Sequence, residues 1–284
     1  MIRKILRAAI KPRLFGTHRY QAFWERVHSW SLEGMHIGHW ESIIDPGELW
    51  VLRFIHRHFQ YGKTRSAVNG TGPVVFDVGA NTGLYSMEVL RYFGERTRLY
   101  SFEPSPSTYE ALCKSVGKLK GVECLNVGLS NVEKSTTLYS VPADPCLASV
   151  YDRFRFNDVS NGDGSARTSE SISLRTIDSF CRERDIQHID FLKVDVEGHE
   201  LEVLLGARSL IERSAIDFIQ FEFGGTDVDS KTFLHDFFQL LHPTFALYRI
   251  LKDGIVPVEP YNERYEIFLY SNYLAILRDL KLTV

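Results

Sequence analysis

From Val74 onward, short apolar runs alternate with stretches in which apolar residues recur every three or four positions, the two periods of strand and helix. "VVFDV" reads as a buried strand and "GLYSMEVLRYF" as the helix after it. "RLYSFEP" is a second strand, followed by the helix "SPSTYEALCKSV", for which Ser105 or Ser107 supplies the cap. "VECLNVGL" reads as a third strand and "SISL" as a short one leading to the helix "TIDSFCRER". "IDFLKVDV", "GHELEVLLGARSLI", "IDFIQFEF" and "SKTFLHDFFQLL" repeat the strand–helix pattern. "TFALYRI", "EIFLY" and "YLAIL" close the chain as strands with short links, which implies an antiparallel end. The alternation predicts an α/β fold: a mostly parallel sheet with helices on both faces.

The first 60 residues follow a different pattern. They concentrate Trp24, Trp30, Trp40 and Trp50 with His28, His36, His39, His56 and His58, and helical spacing is visible in "PGELWVLRFIHRHF". Residues 61–73 are polar and glycine-rich and read as a linker. The division expected is a helical extension over 1–72, able to act as a lid, and a main domain over 73–284. An aromatic core patch with satisfied histidines is the more ordinary reading of that extension. Residues 1–15, "MIRKILRAAIKPRLF", place Arg3, Lys4, Arg7 and Lys11 between apolar residues at helical spacing. Such a helix can associate peripherally with an anionic membrane, or pack on its own domain or a partner subunit of a homo-oligomer. Residues 157–171 are of low complexity and read as a mobile surface loop.

Composition narrows the classes. Of 284 residues, 44% are hydrophobic and 24% charged, ordinary for a globular protein with a core, and the net charge of -3 gives no pull toward nucleic acid. No run of about 18 apolar residues exists to span a membrane, and the start lacks the apolar stretch of a secretory signal. None of the four cysteines sits in a C-x-x-C pair, so free thiols in a reducing cytoplasm are expected.

The turn after the first strand carries the first chemistry. In an open parallel sheet, ligands bind beyond the carboxyl ends of the strands. Gly79 and Gly83 permit a tight turn and a close backbone approach, and the helix behind them offers free amides. Glu103, 20 residues past Gly83, ends the second strand where an acid can bond the two hydroxyls of a ribose. The spacing is G-x-N-x-G over Gly79, Asn81 and Gly83, not the dinucleotide G-x-G-x-x-G. Asp77 just before the turn repels pyrophosphate but suits an ammonium group. A ligand with ribose, amine and carboxylate is S-adenosylmethionine. Ala80, Tyr85 and Ser86 complete this segment as cofactor-side candidates, with Pro104 and Ser105 beside Glu103.

"LKVDVEGHE" puts Lys193, Asp195 and Glu197 at alternate positions, hence on one face of a strand end. If this strand neighbours the first, its end adjoins the cofactor turn and aims Asp195 at the methyl group's surroundings. Methyl transfer from such a cofactor to a weakly acidic group calls for a base or a metal. His199 has a suitable unperturbed pKa, with Asp195 or Glu197 to orient it or to act themselves, and Glu222 in "FEFGG" can converge on the same place. Each has a plainer reading: Lys193 and Glu197 as a structural ion pair, His199 as a helix cap, Glu222 as a loop anchor. Asp195, Glu197, His199 and Glu222 could hold Mg²⁺, but no spacing compels it. "CLASVYDRF", 146–154, reads as a substrate-side loop from which Ser149 and Tyr151 reach the site.

These segments together resemble the FkbM family of S-adenosylmethionine-dependent methyltransferases. The likeness is carried by "FDVGANTGLYS" (76–86), "YSFEPSP" (100–106), "NVGLSN" (126–131), "TIDSF" (176–180), "IDFLKVDVEGHELEVLLGA" (189–207) and "FIQFEF" (218–223). It spans roughly 74–277, and "WESIIDPGELWVL" resembles the helix that often precedes the first strand. The resemblance implies a class I methyltransferase (Rossmann-like) fold: a seven-stranded sheet with its last strand inserted antiparallel. It also implies O-methylation of a hydroxyl, usually on a sugar of a glycan or on a natural product. Asp77, Gly79, Asn81 and Gly83 would line the methionine part, Glu103 the ribose, and Asn126, Val127 and Gly128 the adenine. An alanine is expected where this chain has Gly128. The competing functions are a nicotinamide-dependent oxidoreductase, against which Asp77 speaks, and a non-catalytic nucleoside-binding adaptor.

Overall fold

Five residues of β1 (Val74–Val78) are all buried, because the strand lies inside the sheet and is covered on both faces. The computed structural model describes residues 15–38, 44–60, 72–141, 144–152 and 168–280. The other strands are β2 (Arg98–Phe102), β3 (Val122–Leu125), β4 (Gly128–Leu129), β5 (Lys134–Val141), β6 (Asp144–Ser149) and β7 (Thr168–Arg175). After them come β8 (Ile189–Val194), β9 (Ile216–Phe223), β10 (Phe245–Leu251), β11 (Gly254–Pro257) and β12 (Ser271–Leu277). The helices are α1 (Gln21–Gly34), α2 (Pro46–Gln60), α3 (Leu84–Phe93), α4 (Pro106–Ser115) and α5 (Ile177–Glu183), then α6 (Glu200–Leu205), α7 (Arg208–Glu212), α8 (Asp227–Ser230) and α9 (Leu234–Leu241).

The main sheet has the order β11-β10-β12-β9-β8-β1-β2-β3. Strands β3, β2, β1, β8 and β9 run parallel, and β12 is inserted antiparallel between β9 and β10. Among the described residues this sheet has eight strands, not the seven expected. The extra one is β11, which folds back on β10 across the two-residue link Lys252-Asp253, with Leu251 paired to Gly254.

Alternation along β1 sends Val75 to one layer and Phe76 and Val78 to the other. Val75 joins Leu99, Phe191, Phe218 and Leu274 under Val51, Leu52 and Ile55 of α2. Phe76 and Val78 join Phe180, Leu192, Leu204, Phe221 and Phe237 on the opposite face. The chain groups into two units, Met1–His39 and Trp40–Val284. Helix α2, which the sequence reading placed with the extension, therefore packs in the second unit. In the first unit, α1 carries Trp24, whose ring lies 4.7 Å from that of Phe15. Residues 1–14 of the basic segment, 61–71 of the linker and 157–167 of the low-complexity stretch lie outside the described residues. Of that stretch, 168–171 belong to β7.

Three expected elements differ. "VECLNVGL" is two strands, broken at Asn126, whose side-chain amide donates to the carbonyls of Glu103 (2.9 Å) and Pro104 (3.0 Å). The segment 198–211 is two helices. At Gly206, between them, a Cβ would lie 2.0 Å from the carbonyl oxygen of Ser130. "EIFLY" is not a strand: the Glu266 carboxylate instead accepts the amides of Leu234 (2.9 Å) and His235 (2.8 Å) that open α9. A second sheet, β4-β7-β5-β6, was not anticipated. Among the described residues no helix is long and apolar enough to cross a membrane.

Candidate active site

The carboxyl ends of β1, β2 and β8 meet at the turn after β1. The amides of Gly79 and Ala80 both donate to the carbonyl of Phe102, at 3.0 and 2.9 Å. Gly79 has φ +84°, and a Cβ on it would lie 1.8 Å from the carbonyl oxygen of Asp195, so only glycine lets the two strand ends approach this closely. Glu103 locks the turn to the next loop. Its Oε2 accepts the Asn81 amide (3.0 Å) and its Oε1 the Ser105 amide (2.9 Å). Burial pushes its pKa up to about 7, against the pull of these two amides.

A cleft opens here between the main sheet and the second one. Its floor is Val78, Gly79, Asn81, Glu103 and Pro104. Its roof is Gly128, Leu129, Leu138, Ala148, Val150, Ile172 and Leu174. Asp195, Val196, Glu197 and His199 form one end. A Cβ on Gly128, where an alanine was expected, would lie 2.5 Å from Leu174 Cδ2, the far end of a flexible side chain. Beside this cleft, Ser105, Ser107 and Thr108 face Ser140, Thr168, Ser169 and Glu170 across a hydroxyl-rich groove.

Other expected cofactor residues lie behind the wall. Asp77 shares the β1 face of Val75, is fully buried, and accepts the Ser86 hydroxyl at 2.6 Å. Burial raises its pKa, against the nearby Lys193 charge and the Ser86 hydrogen bond. Ala80 packs with Leu112 and Val116, and a Cβ on Gly83 (φ +87°) would meet Leu112. Tyr85 is buried with its hydroxyl 3.3 Å from Gln220 Oε1. Val127 packs on the main core, and Asn126 anchors backbone as described.

Lys193 organises the buried charges behind the cleft. Strand register sets Asp77, Lys193 and Gln220 side by side across β1, β8 and β9. The Lys193 ammonium lies 2.8 Å from Asp195 Oδ2 and 3.8 Å from Glu48 Oε1, over the Tyr85 ring at 4.5 Å. Burial disfavours its charge, but Asp195, Glu48 and Asp77 outweigh burial and hold the pKa above its ordinary value. Glu48 comes from α2 and also accepts the Gln220 amide at 2.9 Å. Burial pushes its pKa up to about 7 despite Lys193. Sequence reasoning missed Glu48 and Gln220. The sole local hint was the proline-led start of α2.

The loop after β8 is held by Glu200, whose two oxygens accept the amides of Val196 (2.8 Å) and Gly198 (2.9 Å). Glu197 (φ +57°) and Gly198 (φ +97°) make the bend. Ser149 donates to the Glu197 carbonyl at 2.8 Å, and Tyr151 lies 3.0 Å from His199 Nδ1, so these two residues of the expected substrate-side loop reach this end. His199 Nε2 is 2.9 Å from Ser130 Oγ. With both nitrogens engaged by hydroxyls, the imidazole offers no lone pair to a metal. Burial, with Lys134 nearby, lowers its pKa to about 4, so at neutral pH it is uncharged. Glu222 ends β9 close enough to feel Asp195, Glu197 and Glu200. Burial first, then those three charges, raise its pKa well above the ordinary carboxylate range.

The sequence model described as "Methyltransferase FkbM domain" matches residues 77–250. Methyltransferase sdnD of Sordaria araneosa is 28% identical over 158 residues, 48% of this chain and 61% of the relative. Hexuronic acid methyltransferase AglP of Haloferax volcanii is 29% identical over 149 residues, 51% of this chain and 54% of the relative. 2-O-methyltransferase NoeI of Sinorhizobium fredii is 23% identical over 173 residues, 52% of this chain and 63% of the relative. The matched region thus spans between 54% and 63% of these relatives' length.

Proposed function

The chain belongs to the FkbM family of S-adenosylmethionine-dependent methyltransferases, and from that premise we propose that it methylates a hydroxyl, with a sugar as the acceptor class. The relative named for hexuronic acid supports the sugar reading, and the one named for a 2-O position supports transfer to an oxygen. The observation that carries the proposal is Glu103: a buried carboxylate fixed by two amides at the wall of a cleft bounded by a glycine turn.

The residues present fit the cofactor. Gly79 and Gly128 sit where any Cβ would intrude on neighbouring atoms. Glu103 would hold the ribose diol, and the apolar roof of Leu138, Ile172 and Leu174 would cover the adenine. Asp195 replaces the sealed Asp77 as the acid facing the cationic end, with the Lys193 ammonium 2.8 Å from its Oδ2. When bound, S-adenosylmethionine supplies an electrophilic methyl group on its sulfonium.

The rest of the chemistry falls to alignment and one proton. Placing the acceptor oxygen beside the methyl group accounts for most of the gain in a direct displacement. Glu222, which lies behind the acids at the end of the cleft, would take the acceptor hydroxyl's proton once ionised, since a carboxylate with raised pKa is a stronger base than an ordinary one. His199, neutral and fixed by Ser130 and Tyr151, holds the loop and does not receive that proton.

The test is incubation with methyl-labelled cofactor and uronic-acid or other glycan acceptors, followed by mass spectrometry. One added methyl on a sugar hydroxyl, lost in Glu103→Ala, is the expected result. Label entering only protein or nucleic acid would end the sugar reading.

A further inference from the structure

The opposite end of the sheet carries a second group of ligating residues. Asp190 and Asp217 are the second residues of β8 and β9. Ile189 pairs with Ile216 and Phe191 with Phe218, so the two acids lie side by side across the parallel pair. Both are completely buried. His188, just before β8, has its side chain 14% exposed, with Nε2 3.2 Å from Asp217 Oδ2 and 3.9 Å from Asp190 Oδ1. Asp190 Oδ2 accepts the amide of Val74 at 2.8 Å, which ties this corner to β1.

Asp217 has no neutral explanation. Neither of its oxygens accepts a hydrogen bond among the described residues, and neither ring nitrogen of His188 makes one. Buried carboxylates normally find amide or hydroxyl donors, as Asp77, Glu103 and Glu200 do in this chain. Two adjacent carboxylates away from water repel each other, and a cation between them would relieve that repulsion. The 3.2 Å approach of His188 also lacks the geometry of a hydrogen bond.

One oxygen from each acid and one nitrogen of His188 lie within 4.8 Å of one another. Zinc binds nitrogen and carboxylate oxygen at about 2.0–2.2 Å in a tetrahedron, which sets ligand atoms roughly 3.3 Å apart. The His188–Asp217 separation already matches, and the remaining distances close with small side-chain movements. A nitrogen with two carboxylates suits zinc or a similar transition ion better than calcium, which takes six to eight oxygens.

The geometry points to a divalent transition-metal site, zinc foremost, formed by His188, Asp190 and Asp217 and fastening β1, β8 and β9 at the end of the sheet away from the cleft. It is independent of the methyl-transfer reading and of the acids around Asp195.

The test uses the full, tag-free chain stripped of metal, supplied with zinc, desalted and assayed by elemental mass spectrometry. Equimolar zinc is expected, with retention falling at least about tenfold in Asp217→Asn and in His188→Gln. Cobalt(II) added to the stripped native chain should give the visible bands of a low-coordinate site, and zinc should abolish them. The cobalt readout decides if the variants fail to fold. A native chain that keeps no zinc and gives no cobalt spectrum overturns the site and leaves His188 as a plain counter-ion. Folded variants that keep as much zinc as the native chain overturn it equally.

Discussion

Glu103 and Asn81 are joined by a 3.0 Å hydrogen bond from the Asn81 amide to Oε2, while Oε1 takes the amide of Ser105. One carboxylate therefore fixes both backbone segments that border the cleft and remains on its wall. Removing it takes away the brace and the proposed acceptor of the ribose diol together. Hydrogen bonds to a charged group contribute about 1.5–3 kcal/mol each. Glu103→Ala is expected to weaken S-adenosylhomocysteine binding by about 10- to 100-fold, measured by calorimetry. Unchanged affinity would place the nucleoside elsewhere.

The same carboxylate makes stability depend on pH. Its pKa in the fold is about 7 against 4.5 for the free group, so the folded state binds the proton more tightly than the unfolded chain does. The associated stability is present below about pH 4.5 and is lost as pH rises through 7. The shift corresponds to roughly 3 kcal/mol as an upper bound. Urea melts of the ligand-free chain should show stability falling over this window, and Glu103→Gln should flatten the fall. His199 acts in the opposite sense at lower pH. Its folded pKa of about 4 means that stability is lost as pH drops from 6.5 through 4.

How much of this was legible follows from where each residue's partners lie. β1, β8 and β9 announce themselves because strands covered on both faces must be apolar nearly throughout, as in "VVFDV" and "IDFIQFEF". The roof sheet did not, because β5 has only one buried face. Leu138 points inward amid Ser135, Thr136 and Thr137, which resemble a loop in composition. Gly79, Glu103 and Asp195 could be placed because each ends a strand. Glu48 could not, since its partner Gln220 is 172 positions away and nothing in "PGELW" marks a glutamate for burial. Asp77 shows the limit of motif reading: strand alternation turns it away from Val78, the residue that meets the cleft.

Lys193 offers a test of the buried charges behind the cleft. Its ammonium compensates Asp195, Glu48 and Asp77, and Glu48 and Asp77 are buried beside it. Lys193→Met keeps the side chain's length and removes the charge. Breaking a buried pair in this way costs about 3–5 kcal/mol, because uncompensated carboxylates remain. Denaturant melts should show a loss of that size, and Glu48→Gln added to the same chain should restore part of it. A Lys193→Met chain as stable as the native one would show that those carboxylates are already neutral.

Glu222 and His199 make opposite predictions for the pH dependence of turnover. If Glu222 takes the acceptor's proton, kcat/KM rises with pH along a limb set by its ionisation. Burial and the charges of Asp195, Glu197 and Glu200 put that limb above the ordinary carboxylate range. Glu222→Gln should lower kcat by about 10²- to 10⁴-fold and abolish the limb. His199 is already neutral above about pH 4, so it cannot supply a limb near neutrality. His199→Gln can keep one hydrogen bond to Ser130 or Tyr151, and should leave the limb in place while lowering the rate through a looser 195–199 loop. Initial rates of S-adenosylhomocysteine release across pH, with saturating sugar acceptor, separate the two. A limb that survives Glu222→Gln and vanishes with His199→Gln would exchange the roles.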